Sequence, residues 1–194
     1  EPEVALDLLT RESTAALLLR SLGLAAVVSV LSVSLSLVLA LLTSASDMPF
    51  RRVLVVLMTA PLAVPCYVGA SAYLAALSPR GPLGGALVRL GVDPPSLHGF
   101  FGAAFVLTLF SFPFAFLPIR AALLRADASP FEAARVLGAS PLRAFVVGIW
   151  PALAPACLAG GTLVALYALA ELGAVALLRF DVFARVIFVQ LTSA

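Results

Sequence analysis

Four long apolar stretches dominate the pattern of hydrophobic and polar positions along the chain. They cover residues 21–42, 53–77, 98–119 and 144–170, and none contains Asp, Glu, Lys or Arg. An α-helix needs about 20 apolar residues to cross the roughly 30 Å of hydrocarbon in a bilayer. The pattern therefore predicts an all-α bundle with four full membrane spans.

The two ends of the chain do not fit this pattern. Residues 171–194 are apolar but are interrupted by Arg179, Asp181 and Arg185, which favours a loop with a short helix at the membrane interface. Residues 1–12 are acidic, with no basic region before the first apolar run, which is not typical of a signal peptide. We therefore expect the chain to start in mid-protein or after an earlier helix.

Composition excludes several classes of protein. The chain is 62% hydrophobic and 11% charged, whereas soluble domains are about 45–50% apolar and about 25% charged. A soluble enzyme, a disordered tail and a nucleic-acid module are all disfavoured. All twelve basic residues are Arg and the net charge is only +2, so no basic patch for nucleic acid is expected.

Prolines occur in pairs within three of the predicted spans. A proline inside a helix removes a backbone donor, but neighbouring helices in a membrane bundle can satisfy the freed carbonyls. The pairs favour kinked spans around a cavity, or they reflect the higher frequency of proline in membrane helices. They are Pro61 and Pro65, Pro113 and Pro118, and Pro151 and Pro155.

The distribution of arginine gives the orientation. Each side of the predicted bundle holds six Arg, but those in loops 43–52 and 120–143 are the more concentrated and lie close to helix ends. The positive-inside tendency places these two loops in the cytoplasm.

The loop between the third and fourth spans contains signals for two helices that meet at a corner. Ser129 is a candidate N-cap, Pro130 suits the first helical position, and Glu132 completes a capping box. Gly138 can end this short helix in the left-handed conformation, and Ser140 followed by proline starts the next one.

The short helix has one apolar face. Phe131, Ala134 and either Leu137 or Gly138 recur at helical spacing. A two-turn helix is not stable alone, so it must pack on its own bundle or on a cytoplasmic partner.

A known family shares the spacing of this loop. The triplet Glu132-Ala133-Ala134 is followed by Gly138 and, thirteen residues later, by Pro151. This arrangement, over residues 129–141 and the following span, resembles the EAA loop of ABC importer permeases.

Two further positions match this family and two depart from it. Phe145 and Pro155 match, whereas Gly148 and Trp150 stand where the family commonly has Ile and Leu. We expect the departures to affect packing within the span and not the contact with a partner.

The resemblance implies a MetI-like permease fold, with the short helix as a coupling helix that docks on a cytoplasmic ATPase dimer. The implied coupling residues are Glu132, Ala133, Ala134, Arg135, Leu137 and Gly138. ATP and Mg²⁺ would be bound by that ATPase, and no cofactor is expected on this chain, which lacks a phosphate-cradling loop. The other implied partners are an extracytoplasmic solute-binding protein, a second permease module (homologous half or homodimer) and the lipid bilayer of the bacterial inner membrane.

The segments 61–67 and 171–180 resemble those of the permease subgroup that imports iron(III), and the thiamine permeases are related to that subgroup. The implied substrate is iron(III), with thiamine, phosphonate, sulfate and polyamines as alternatives. A complete module usually has further helices at both ends, so residues 1–194 are expected to be a single transmembrane domain cut from a longer, possibly fused, permease.

Two other classes of function are less consistent with the sequence. An ion-coupled secondary transporter would carry acidic or His residues near the bilayer midplane, and the four predicted spans have none there. A membrane scaffold would not need the corner at residues 129–141. No catalytic motif is present in the sequence.

A few polar residues near the spans are candidates for the substrate path. Glu171 is either a path residue or an interfacial residue paired with Arg179, and Tyr67 lines either a cavity or a headgroup belt. His98 is interpreted as interfacial rather than as a metal ligand, and Cys66 and Cys157 as apolar packing residues.

Overall fold

The computed structural model describes residues 12–45 and 50–180. Residues 1–11, 46–49 and 181–194, including Asp181 and Arg185 of the predicted tail, lie outside the described part. Every described element is a helix: α1 Glu12–Ala45, α2 Arg51–Thr59, a 3-10 helix Ala60–Ala63, α3 Cys66–Leu77, α4 Pro82–Arg89, α5 Phe100–Arg125, α6 Ser129–Val136, α7 Pro141–Gly148, α8 Trp150–Ala170 and α9 Gly173–Leu177.

Three single helices are long and apolar enough to cross a membrane. They are Ala15–Ser44 within α1, Phe100–Arg125 and Trp150–Ala170. In α5, 61% of the apolar window is buried, against 33% in α1 and 28% in α8. Helix α5 is therefore the centre of the bundle, with α1 and α8 packed on it and on each other.

Small residues and short polar contacts join these three helices. A Cβ on Gly160 would come 2.7 Å from the Cα of Ala115, so α8 and α5 approach closely, as expected for glycine in membrane helix pairs. The Ser36 hydroxyl donates to the Phe112 carbonyl at 2.8 Å, and the Ser32 and Ser111 hydroxyls lie 3.2 Å apart. Each such contact contributes about 0.6 kcal/mol in a membrane and fixes the register of α1 against α5.

The second predicted span, residues 53–77, is broken into two helical parts. Helix α2 runs into the 3-10 helix, Val64 is extended, and α3 starts after Pro65. The two parts, Arg51–Ala63 and Cys66–Arg89, are bent by 99°. Because a residue before proline avoids the helical region and proline lacks an N–H, Pro65 enforces the break. The kink expected from the proline pair is thus present here in an extreme form.

The fourth predicted span, residues 144–170, is also interrupted. Helix α7 ends at Gly148, Ile149 has φ −110°, and α8 begins at Trp150 with Pro151 in its first turn. Proline is tolerated in a first turn because the N–H it lacks has no intrahelical acceptor there. In contrast, Pro155 lies inside α8, and Pro113 and Pro118 lie inside α5.

The short helix expected after residue 171 is present as α9. Ala174, Val175 and Leu178 are fully buried, so this helix packs into the bundle, against α3 and α5. The Gly99 N–H donates to the Leu178 carbonyl at 2.7 Å, which ties the segment after α9 to the start of α5.

Candidate functional site

The helix of the loop between α5 and α8 begins differently from the expected capping box. Ser129 is the first residue of α6 rather than its N-cap. The Asp127 carboxylate accepts hydrogen bonds from the Ser129 N–H, at 2.9 Å, and from the Ser129 hydroxyl. Asp127 therefore satisfies the Ser129 N–H, the donor that Glu132 would serve in a capping box, and these hydrogen bonds lower the pKa of Asp127.

The corner after α6 has the predicted geometry. Gly138 has φ +84°, its N–H donates to the Arg135 carbonyl, and the Ala139 N–H donates to the Ala134 carbonyl, both at 3.0 Å. This pair of hydrogen bonds is a Schellman motif. The Arg135 guanidinium also donates to the Ala139 carbonyl at 2.7 Å, and Ser140 caps α7. The corner is thus rigidly defined.

Helix α6 packs on α7 through its backbone. Phe131 and Ala134 are half-buried, and a Cβ placed on Gly148 would lie 2.6 Å from the Phe131 nitrogen and 2.8 Å from its Cα. The expectation that the departure at Gly148 concerns only packing within the span is wrong, because Gly148 lies against α6 itself.

The outer side of the corner is apolar. Val136 and Leu137 are each 87% exposed, and Leu142 at the start of α7 is 74% exposed. Leu137 was one of two candidates for the packed face, and the structure places it on the open side with Glu132, Ala133 and Arg135. We call Val136, Leu137 and Leu142 the apolar tip. In the sequence, the adjacent apolar residues Val136 and Leu137 on the polar side of a two-turn helix could have indicated this surface.

The break in the second span borders a cavity of about 250 Å³. Its walls are residues 61–65 of the break, Phe110 and Phe114 of α5, and Tyr167 of α8. The rings of Phe114 and Tyr167 lie 5.1 Å apart. A cavity was one of the two interpretations of the proline pairs.

A polar cluster lies next to this cavity. The side chain of Tyr167 interacts with those of Cys66, the first residue of α3, and Glu171, the residue after α8. Glu171 is half-buried, and its Oε1 accepts from the Ala174 N–H at 3.0 Å, so the carboxylate contacts the start of α9 rather than Arg179. Tyr67 is exposed beside it: a Cβ on Gly173 would lie 3.0 Å from Tyr67 Cβ and 3.5 Å from Glu171 Oε1.

The structure therefore brings together both predicted path residues, Glu171 and Tyr67, and adds two that the sequence interpretation missed. Cys66 was interpreted as a packing residue and is indeed buried. Tyr167 precedes Glu171 by one helical turn, a spacing that could have identified it. Cys157 is buried elsewhere in α8, and His98 is exposed beside Ser96. Within residues 12–45 and 50–180, no three His, Cys, Asp or Glu side chains are grouped to hold a metal.

These features define a class of protein: a multi-pass helical membrane protein with a broken span beside a polar cluster and a rigid helical corner outside the bundle. Residues 32–181 match the family described as binding-protein-dependent transport system inner membrane component. The chain belongs to this family, which confirms the resemblance to ABC importer permeases.

Similar proteins agree with this assignment. The chain is 32% identical over 184 residues to an Fe(3+)-transport system permease protein, FbpB 2, of Haemophilus influenzae, covering 95% of this chain and 33% of that protein. It is 37% identical over 121 residues to a putative 2-aminoethylphosphonate transport system permease protein, PhnU, of Salmonella paratyphi A, covering 59% of this chain and 41% of that protein. The chain thus spans between a third and two fifths of the length of these relatives, which are named as permease components and not as enzymes.

A solved structure shows the same fold. The crystal structure of an amino acid ABC transporter with histidines matches with a TM-score of 0.58 and 21% identity, over 93% of this chain and 79% of that chain. The predicted MetI-like helical fold is therefore confirmed, with the second span bent.

Proposed function

We propose that this chain forms part of the translocation pathway of an ABC importer in the inner membrane and is driven through α6 by a separate cytoplasmic ATPase dimer. The observation that carries the proposal is the apolar tip of Val136, Leu137 and Leu142. Three large apolar side chains on a fixed corner need a partner surface. The polar residues Glu132 and Arg135 beside them supply a charged rim around this contact, as is common at protein interfaces.

The proposal assigns the other parts of the transporter to other chains. The ATPase binds ATP and Mg²⁺, and an extracytoplasmic solute-binding protein delivers the solute. A second permease module, either a homologous half or a second copy, completes the pathway. Loops 43–52 and 120–143 face the cytoplasm in this arrangement.

The proposed solute is iron(III). It is supported by the relative named for Fe(3+) transport, which aligns with 95% of the chain. The second candidate is 2-aminoethylphosphonate, favoured by 45% identity over 69 residues to PhnU of Salmonella typhimurium. Uptake of radiolabelled Fe³⁺ and of radiolabelled 2-aminoethylphosphonate by cells carrying the whole transporter decides between them.

Co-purification with the ATPase tests the coupling role. Leu137 and Leu90 are a matched pair, because each is the exposed C-cap of an eight-residue helix, α6 or α4. Leu137→Asp is expected to abolish co-purification of the ATPase and solute uptake, whereas Leu90→Asp is expected to leave co-purification intact. Equal co-purification of the ATPase with both variants would overturn the assignment.

Gly138 provides a second test that does not alter the apolar tip. Its positive φ tolerates Asn but strains a β-branched residue. Gly138→Asn is therefore expected to retain the ATPase, and Gly138→Val to lose it.

A further inference from the structure

We propose that Glu171, Tyr167 and Cys66 form a polar site on the translocation pathway that accepts a cationic solute and disfavours an anionic one. This inference rests on the proposed importer function and adds the charge of the solute. It concerns a cluster whose members lie on three different parts of the fold: the start of α3, the last turn of α8 and the residue after α8.

The depth of the cavity supports a position on the pathway. Phe110 lies ten residues from the start of α5, about 15 Å along that helix, and Tyr167 lies three residues before the end of α8, so the cavity lies within the length of both helices. Backbone outside a helix, as at Val64 and Pro65, is tolerated within the hydrocarbon only where it is buried in protein or lines a water-filled cavity. The break does line a cavity.

The polar cluster adjoins this cavity through one side chain. Tyr167 is part of the cavity wall, and its side chain also interacts with Cys66 and Glu171. Glu171 follows Tyr167 by one turn, about 6 Å further along α8. A solute leaving or entering the cavity along α8 therefore passes a phenol and then a carboxylate.

The charge of this region is negative. Glu171 is the one acidic residue in the cluster, and no arginine belongs to the cluster or to the described walls of the cavity. The N-termini of α3 and of the five-residue α9 each add a partial positive charge, and each is smaller than the full charge of the carboxylate. Near the low-dielectric interior, this balance stabilises a cation and repels a phosphonate or sulfate.

The cavity has room for a small hydrated cation. A water molecule occupies about 30 Å³ in the liquid, so about 250 Å³ holds roughly eight waters, or an ion with one hydration shell. Carboxylate and phenol oxygens can replace part of that shell at the edge of the cavity. 2-Aminoethylphosphonate carries a cationic ammonium beside its anionic phosphonate and so has no net positive charge, and the site therefore suits Fe³⁺ better.

The test uses the whole transporter with its ATPase and binding protein in proteoliposomes, and measures uptake of radiolabelled Fe³⁺. Glu171→Gln removes the charge but keeps an oxygen that can accept from the Ala174 N–H. We expect it to reduce Fe³⁺ uptake by about tenfold or more, equivalent to about 1.4 kcal/mol, and Glu171→Asp to retain most of it. ATPase co-purification is expected to be unchanged in both variants.

Asp93→Asn is the matched control, because Asp93 is an exposed carboxylate far from the cluster in sequence, in the loop before α5. It is expected to transport at the wild-type rate. Wild-type Fe³⁺ uptake by Glu171→Gln, or uptake of 2-aminoethylphosphonate instead of Fe³⁺ by the wild-type transporter, would overturn the cation site while leaving the importer function intact. Failure of the wild-type chain to bind any ATPase would overturn the importer function itself.

Discussion

A single methyl group added at Gly148 would clash with main-chain atoms of α6. The nearest atoms to a Cβ there belong to the main chain of Pro130 and Phe131, so no change of rotamer can relieve the clash. We expect Gly148→Ala to displace α6 from α7 and to lower stability by about 1–3 kcal/mol, measured as a fall in the Tm of the detergent-solubilised protein.

Gly85 is the control for this substitution. It also lies in a helix, but a Cβ there would be 3.5 Å from the nearest atom. Since alanine has the higher helix propensity, Gly85→Ala is expected to keep or raise the Tm. A Tm of Gly148→Ala equal to that of Gly85→Ala would show that α6 does not pack on α7 through its backbone.

The cap of α6 is a second residue-scale feature, and it depends on pH. The hydrogen bonds from Ser129 lower the pKa of Asp127 from its ordinary value of 3.8. A lowered pKa in the folded state means that the contribution of Asp127 to stability is fully present above about pH 3.8 and is lost as the pH falls through the folded-state value. The cap is therefore expected to protect the Ser129 amide from hydrogen exchange at every pH above about 3.8, and this protection is expected to be lost only as the pH falls further, through the lowered pKa of Asp127.

Asp127→Asn separates charge from geometry at this cap. Asparagine keeps a side-chain oxygen that can accept from the Ser129 N–H but does not titrate. Its protection at Ser129 should remain the same from pH 5 down to pH 3. A loss of protection at low pH in Asp127→Asn as well would mean that another group controls the cap.

At the scale of elements, the contact between α3 and α5 controls the cavity beside the break. A Cβ on Gly69 would come within 1.9 Å of Phe110 Cζ, and Phe110 lines the cavity. The clash involves the far end of a side chain, so Gly69→Ala is expected to push the Phe110 ring into the cavity and reduce solute uptake. Phe110→Leu in the same chain removes the ring end and is expected to restore uptake.

The double variant makes the explanation specific. If the effect of Gly69→Ala passes through Phe110, the two substitutions are strongly non-additive, with a coupling of about 0.5–3 kcal/mol in stability. Additive losses in Tm and uptake would instead indicate that Gly69 acts through some other contact.

The elements also show what the sequence could predict. The corner at residues 129–141 was predictable, because Gly138, Ser140 and Pro141 act on the backbone next to them. The use of Asp127 rather than Ser129 at the first turn of α6 was not, since both residue types are good caps. The meeting of Cys66 with Tyr167 was not predictable either, because it depends on the 99° bend between distant parts of the chain.

At the scale of the whole molecule, charged residues are arranged at the ends of the bundle rather than within it. The arginines of α5 are at its end, Arg120 and Arg125, and Arg135 and Arg143 follow in the corner. The acidic Glu171 is one turn from the cavity, on the half of the bundle opposite the corner. This separation agrees with the proposed function, in which the spans form the passage and the driving force is applied at the corner.

The same arrangement predicts on which side of the membrane Leu90 and Leu137 lie. Leu90 lies before α5 and Leu137 after it, both exposed, at 78% and 87%, and a helix of 26 residues is about 39 Å long. One crossing therefore places the two leucines on opposite sides of the membrane. The numbers of arginine on the two sides are equal, so their concentration near helix ends must decide the orientation.

Single cysteines in place of Leu90 and Leu137 test this topology, because they are distinguishable from the native Cys66 and Cys157, which are buried. Leu137→Cys is expected to react with a membrane-impermeant maleimide only in inside-out vesicles, and Leu90→Cys only in intact spheroplasts. The reverse pattern would place the corner outside, where no ATP-driven partner could reach the apolar tip, and labelling of both residues from one side would mean that α5 does not span the bilayer.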